Sequence, residues 1–130
     1  MSRDSLHDAV SAFFVGFDSA FASFDGAVVA AQYQCPYLAI RSDGSTEAFA
    51  SQADIAAYFQ GLLDHYHARG CRSCRHKDLE VVPLGTAAAL GTVTWELCNL
   101  DGAVVSTWRE SYHLVRVGER MKAAASVDHD

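Results

Sequence analysis

Apolar and polar residues alternate with a period of two through the last third of the chain, and this pattern predicts β-strands. Residues 92–95 and 104–117 are rich in β-branched and aromatic types, which fit a pleated surface. Asp101-Gly102 is a strong hairpin signal, because glycine tolerates the positive φ of a tight turn. A second turn at residues 118–119 leads into a last strand over residues 121–129. Three long antiparallel strands are therefore predicted here.

A two-residue loop at Asp101-Gly102 would also fix the register of the first hairpin. Leu100 would pair with Ala103, Trp95 would lie opposite Trp108, and Val93 opposite Glu110. Because side chains alternate along a strand, the residues of this hairpin divide into two sets, one on each face of the sheet. The first set is Val93, Trp95, Leu97, Trp108, Glu110, Tyr112 and Leu114, and the second is Thr92, Thr94, Glu96, Thr107, Arg109, Ser111 and His113.

The first two thirds of the chain carry helical periodicity and short strand signals. Apolar residues recur at three- and four-residue spacing over residues 5–24, which predicts an amphipathic helix with a Phe-rich stripe. A short second helix is expected over residues 27–34, ended by Pro36. Ser51 is an N-cap candidate for a third helix that runs to about residue 69 and stops at Gly70. Two short strands are expected at 37–40 and 47–50, and a long one over 72–82.

This succession predicts an α+β domain in the order α-α-β-β-α-β-β-β-β, with the helices on one face of a mostly antiparallel sheet. The chain has 130 residues, so a single domain over residues 1–130 is expected. Half of the residues are hydrophobic and 20% are charged, a globular composition. The net charge of -6 without a basic stripe argues against nucleic acid as a partner. No apolar segment is long enough for a membrane or a signal peptide, and a cytoplasmic location is expected.

Several stretches in this order resemble the nuclear transport factor 2-like superfamily, and within it the SnoaL-like group. They are FFVGFDSAFASFDGAVVAAQYQCPYLAIRSDG, ASQADIAAYFQGLL, DLEVVPLGTAAALGTVTWEL, DGAVVSTWRESYHLVRVGERMK and ASVDHD, which together span nearly the whole chain. The resemblance implies a cone, in which a strongly curved sheet wraps the helices and leaves a pocket at the open end. It also implies a homodimer through the outer face of the sheet.

The catalytic residues of the family's ketosteroid isomerases transfer poorly to this sequence. Their general-base Asp falls here at Arg41 or Ser42, with Asp43 slightly beyond. Their oxyanion-donor Tyr on the first helix is replaced by Phe at the candidate positions. In the kinase hub domains of the family, an Arg on the second-last strand points into the pocket. That position falls at Tyr112, which supports the face carrying Trp108, Glu110 and Tyr112 as the inner one.

Glu110 is the principal candidate for acid-base chemistry, because it stands between Trp108 and Tyr112 on an otherwise apolar strand face. A carboxyl group in an apolar pocket has a raised pKa, which suits a general acid or base. Tyr112 would supply a hydrogen-bond donor. The alternative is that this face meets solvent or a second subunit and that Glu110 pairs with a Lys or Arg.

Arg41 is a candidate anchor for a ligand carboxylate at the pocket mouth, because it follows an apolar strand and precedes a turn. Its alternative is a surface ion pair with Asp43 or Glu47. The other predicted pocket residues are Phe14, Phe17, Tyr33, Tyr58, Trp95, Trp108 and, near the chain end, Asp128.

Cys71 and Cys74 lie near three histidines, but they do not form a recognisable metal site. A structural zinc needs four ligands, and a single Cys-x-x-Cys supplies two. Strand geometry also points the two cysteines to opposite faces. We therefore expect no metal and no cofactor, and reduced thiols.

Two functions are compatible with these observations. One is a small-molecule pocket protein that acts without a cofactor by proton transfer, as an isomerase, dehydratase or cyclase. Its ligand would be hydrophobic or carboxylate-bearing. The other is a non-catalytic dimeric module for binding or assembly.

Overall fold

The computed structural model describes residues 3–130, which form three helices and six strands in the predicted order. The element bounds are α1 (Arg3–Phe21), α2 (Gly26–Ala30), β1 (Tyr33–Ile40), β2 (Thr46–Phe49), α3 (Gln52–Ala68), β3 (Ser73–Leu84), β4 (Ala88–Cys98), β5 (Val104–Val117) and β6 (Arg120–Asp128). The strands make one curved sheet in the order β2-β1-β6-β5-β4-β3. β1 runs parallel to β6, and the other neighbours are antiparallel. The α+β prediction is confirmed.

The central hairpin of β4 and β5 keeps the predicted register with a different turn. Trp95 pairs with Trp108, and Val93 pairs with Glu110. The register shifts by one residue beyond Leu97, so Leu100 does not pair with Ala103 as a two-residue loop would require. Instead Asn99 closes a wider loop, because its side-chain oxygen accepts hydrogen bonds from two backbone amides. The bulge absorbs the extra loop residues and leaves the inner face unchanged.

Helix α1 packs its Phe-rich stripe against the inner face of the sheet. Phe14 is completely buried, and the ring of Phe17 lies 4.9 Å from that of Trp95, centroid to centroid. Gly91 on β4 makes the close packing of α1 possible, since a Cβ atom there would lie 2.9 Å from Phe14 Cε2. The helix ends at Phe21, three residues before the predicted end, and Phe24 adopts a positive φ of 51°.

The second helix is shorter than predicted, because tertiary packing draws the following residues into the sheet. It ends at Ala30, and Tyr33 already belongs to β1, where it pairs with Ala123 of β6. Tyr33 is 1% exposed, so burying its ring on the core side of the sheet favours the extended conformation. Pro36 therefore lies inside β1 and does not end the helix.

The limits of α3 agree with the sequence prediction. The Ser51 side chain accepts a hydrogen bond from the backbone nitrogen of Asp54, which satisfies one of the free amides at the helix start. Gly70 follows the last turn with a φ of 93°, a conformation that glycine adopts without strain. Ile55 and Leu63 are buried against the rest of the core.

Candidate functional site

A cavity of about 310 Å³ lies between the helices and the inner face of the sheet. This volume is at the small end of the range for ligand sites, about 300–1,000 Å³. All five tyrosines and both tryptophans of the chain contribute to its wall. The complete set of lining residues is Phe17, Phe21, Val29, Tyr33, Tyr37, Ala39, Ile40, Arg41, Ser42, Tyr58, Phe59, Leu62, Leu63, Tyr66, Cys74, Trp95, Leu97, Trp108, Glu110, Tyr112, Ser126, Asp128 and His129.

Glu110 is the buried carboxyl group of this wall. It lies on β5, where the alternation that points Tyr112 and Leu114 inward also points Glu110 inward. The residue is only 8% exposed. The indole Nε1 of Trp108 donates a hydrogen bond of 2.9 Å to Oε1 of Glu110. Glu110 makes no ion pair with any side chain of residues 5–130, so the surface-pair alternative does not describe its surroundings.

Asp128 is the register partner of Glu110 on the neighbouring strand β6. Burial and the adjacent Asp128 carboxylate together raise the pKa of Glu110 to about 8. The Glu110 carboxyl group therefore holds a proton in neutral solution.

Three tyrosine hydroxyls give the cavity its neutral polar groups. Tyr112 accepts a hydrogen bond of 2.8 Å from Nε1 of Trp95, and Tyr37 shares one of 2.6 Å with Ser126. Among residues 3–130, the Tyr33 hydroxyl has no hydrogen-bond partner, although the residue is almost fully buried. Burial raises the pKa of Tyr33 and of Tyr112 well above the ordinary value, so both remain neutral.

Arg41 lies at the cavity wall and also forms one of the two surface ion pairs that the sequence allowed. It lines the cavity together with Tyr58. Its Nη2 also donates to Oε1 of Glu47 at 2.5 Å, with about two fifths of its side chain exposed. Asp43 instead binds the backbone nitrogen of Ser45 within the turn. Arg41 is therefore already neutralised on one side before any ligand arrives.

The structure brings nearly all of the predicted site residues together. Phe14 is the exception and does not line the cavity, because it inserts over Gly91 and packs behind Tyr112 and Trp95. The residues that line it as predicted are Glu110, Tyr112, Phe17, Tyr33, Arg41, Tyr58, Trp95, Trp108 and Asp128.

Sequence reasoning missed the polar residue Ser126 and two of the tyrosines, Tyr37 and Tyr66. Ser126 and Asp128 are spaced by two on the last strand, so alternation could have placed both on one face. The tyrosines carried no comparable signal, because the helix and strand that bear them meet only in the folded chain.

Cys74 lines the cavity, and its thiol lies 3.8 Å from Oδ1 of Asp18 on α1. Burial, followed by the charge of Asp18, raises the pKa of Cys74 well above its usual range, so the thiol is not ionised. The other oxygen of Asp18 contacts Nδ1 of His76 at 2.7 Å. Within residues 3–130, no three His, Cys, Asp or Glu side chains are grouped closely enough to hold a metal ion.

The two basic residues on either side of His76 in β3 form ion pairs with the neighbouring strand. Arg75 and Lys77 both pair with Glu96 of the neighbouring strand, at 2.7 and 3.2 Å.

None of the helices in residues 3–130 combines the length and apolar character needed to span a bilayer.

Solved structures with the same fold come from several bacteria. An NTF2-like protein of unknown function from Shewanella oneidensis superposes with a TM-score of 0.73 at 15% identity, covering 95% of this chain and 98% of its own. An NTF2-like protein with a cystatin-like fold from Novosphingobium aromaticivorans superposes with a TM-score of 0.74 at 12% identity. The match covers 95% of this chain and 80% of that protein. A ketosteroid isomerase-like protein from Erwinia carotovora atroseptica superposes with a TM-score of 0.65 at 15% identity. The match covers 94% of this chain and 93% of that protein. Identities this low establish the fold alone.

Comparison with curated protein sequences gives no match. The family model described as NTF2-like protein (DUF6841) matches residues 7–130, nearly the whole chain. The resemblance to the nuclear transport factor 2-like superfamily is thereby confirmed, and the chain belongs to this family of NTF2-like proteins.

Proposed function

We propose that this protein binds a small, largely apolar molecule in the aromatic cavity and exchanges a proton with it through Glu110. The reaction class would be a cofactor-free isomerisation, dehydration or cyclisation. The observation that carries the proposal is the buried Glu110 beside Asp128, whose carboxyl pKa is raised to about 8. A group that titrates close to neutral pH can both give and accept a proton, which is the requirement for general acid-base catalysis.

Each neighbour of Glu110 has a definite part in this proposal. Trp108 fixes the carboxyl orientation through its hydrogen bond to Oε1. The oxygen of Tyr112 accepts from Nε1 of Trp95, and the Tyr112 hydroxyl lies close enough to Glu110 to lower the pKa of that carboxyl group. The aromatic rings exclude water, which strengthens these interactions. The Erwinia neighbour, described as ketosteroid isomerase-like, shares the fold; here the candidate acid-base group comes from β5, and not from the end of β1.

The proposal is tested by proton exchange on small aromatic ketones. Phenylacetone and 2-tetralone would be incubated with the protein in deuterated buffer, and deuterium incorporation followed by NMR. We expect Glu110→Gln to lower the protein-catalysed rate by at least about 100-fold, the usual scale for a lost general acid or base. Glu119→Gln, at an exposed position, is the matched control and should retain the rate. An unchanged rate in Glu110→Gln removes Glu110 as the acid-base group.

A dimeric binding module is the second candidate, and the outer face of the sheet supports it. The pairing registers align one residue from each of five strands in a row: Leu38, Ala125, His113, Leu90 and Val82. Leu38 and Leu90 are each 36% exposed and Val82 is 52% exposed. Four of these five residues are apolar, and a largely apolar row that crosses a sheet is suited to face a second copy of itself across a two-fold axis.

Light scattering after size-exclusion chromatography tests the dimer. We expect the unaltered protein to have twice the chain mass and Leu90→Glu to have the mass of one chain. Val15→Glu introduces the same kind of change on the exposed side of α1 and should leave the mass unchanged. A single-chain mass for the unaltered protein at micromolar concentration would exclude the dimer.

A further inference from the structure

The two acidic side chains of the cavity wall are not paired with its basic side chains. Glu110 and Asp128 lie side by side on β5 and β6, and neither makes an ion pair with a side chain of residues 5–130. Arg41 and His129 are the basic residues in the cavity wall. Arg41 is held by Glu47 at 2.5 Å, and Nε2 of His129 contacts Ser111 at 2.8 Å. The carboxyl pair therefore has no cationic partner among the side chains of residues 5–130.

The surroundings of the pair are those that stabilise a cation. Aromatic rings present a negative face, and a cation placed over one gains about 0.5–2 kcal/mol. The ring planes of Tyr66 and Trp108 make an angle of 28° at a centroid distance of 6.4 Å. Trp108 also donates a hydrogen bond to Glu110. The Tyr33 hydroxyl belongs to the cavity wall, has no hydrogen-bond partner among the side chains of residues 5–130, and can accept a hydrogen bond from a ligand N–H.

We propose that the cavity is selective for an organic cation, a small amine whose ammonium group lies against Glu110 and Asp128 while the aromatic wall encloses its apolar body. This assignment rests on the proposed binding role of the cavity and names the class of ligand. A carboxylate-bearing ligand, for which Arg41 alone would argue, would place a further negative charge beside the pair. Electrostatic repulsion in a poorly hydrated site disfavours that arrangement.

A bound ammonium group also changes the protonation of the pair. Its positive charge favours the ionised form of Glu110, so binding near neutral pH releases a proton from that carboxyl group to the buffer. The groups that face Glu110 from the elements around it are an acid and five neutral phenols. The acid is Asp128 from β6, and the phenols are Tyr33 and Tyr37 from β1, Tyr58 and Tyr66 from α3, and Tyr112 from β5. Arg41, Cys74 and His129 are the other titratable groups of the cavity wall. The phenols stay neutral near pH 7.5, so the released proton reports on the carboxyl pair.

Three probes of equal length separate charge from shape: 4-phenylbutylamine, 4-phenylbutan-1-ol and 4-phenylbutanoate. Their binding would be followed at pH 7.5 through the fluorescence of Trp95 and Trp108, both of which line the cavity. We expect the ammonium form of the amine to bind at least tenfold more tightly than the alcohol, and the carboxylate to bind most weakly. Calorimetry in two buffers of different ionisation enthalpy should detect proton release with the amine alone.

Two variants test the residues. Glu110→Gln should reduce the preference for the amine over the alcohol to less than threefold and abolish proton release, while alcohol binding persists. Asp128→Asn should weaken amine binding in the same direction, and Glu119→Gln should change nothing. If the alcohol or the carboxylate binds as tightly as the amine, the cation assignment is overturned and the ligand-binding role of the cavity stands. If none of the three probes saturates, both the assignment and the binding role are overturned.

Discussion

Glu110 and Asp128 lie directly opposite each other on β5 and β6, inside a cavity whose wall contains every tyrosine and tryptophan of the chain. Two carboxyl groups at such a position cannot both ionise without strong repulsion, so they retain a proton that an exposed pair would lose. The aromatic wall keeps water away from the pair and maintains this effect. This relationship underlies the proposed chemistry and makes the stability of the fold dependent on pH.

Folding stability should decrease as the pH rises from about 4 to above 8. The pKa of Glu110 is raised from an ordinary value of 4.5 to about 8 in the folded protein, so the folded state binds more protons than the unfolded state within this window. The contribution of the protonated carboxyl is therefore full below the unfolded pKa and is lost as the pH passes through 8. Urea unfolding between pH 5 and 9 measures the change.

Glu110→Gln is the comparison for that experiment, because an amide has the same shape and does not titrate. The difference in unfolding free energy between the variant and the unaltered protein should grow in favour of the variant as the pH rises. It should reach on the order of a few kcal/mol at pH 9. A constant difference between the two proteins from pH 5 to 9 would contradict a raised pKa at Glu110.

Tyr112→Phe should destabilise the fold by about 1–3 kcal/mol, because the indole N–H of Trp95 would lose its acceptor inside the core. Tyr33→Phe is the matched control. Tyr33 is equally buried, but its hydroxyl has no hydrogen-bond partner among residues 3–130, so its removal should be neutral or stabilising. Chemical denaturation of both variants provides the comparison, and equal losses would show that the Trp95–Tyr112 bond is unimportant.

Gly26→Ala should lower stability by more than about 2 kcal/mol. A Cβ atom at residue 26 would lie 2.3 Å from the backbone oxygen of Ala56, so α2 would have to move away from α3. Gly61→Ala is the control on α3, where the new Cβ meets nothing within 4 Å. That change should stabilise the helix by up to about 1 kcal/mol. Thermal unfolding should therefore shift in opposite directions for these two substitutions.

Ser51→Ala should cost about 1 kcal/mol, because it removes the acceptor of the Asp54 backbone N–H at the start of α3. Ser51→Asp retains a side-chain oxygen at the cap and should restore most of the loss. Helix content from circular dichroism and the urea midpoint measure the effect. A stable alanine variant would indicate that packing of Ile55 and Leu63 alone holds this helix.

The amino-acid sequence by itself determined the succession of elements and the faces of the central strands. Period-two alternation placed Glu110 and Tyr112 on one side of β5, and a capping serine with a following glycine set the limits of α3. These features are local, since they depend on residues a few positions apart. The pairing of Trp95 with Trp108 could also be predicted, although the turn that produces it contains a bulge.

Only the tertiary structure decided what these elements bring together. The end of α2 and the position of Phe14 followed from burial in the assembled core, where Tyr33 and Gly91 offered better packing than the local pattern indicated. The opposition of Glu110 and Asp128 depends on the register of two strands that contribute to one cavity with α3 and β1. Such contacts join residues far apart in the chain, and their energies arise from exclusion of water and mutual repulsion that exist only after folding.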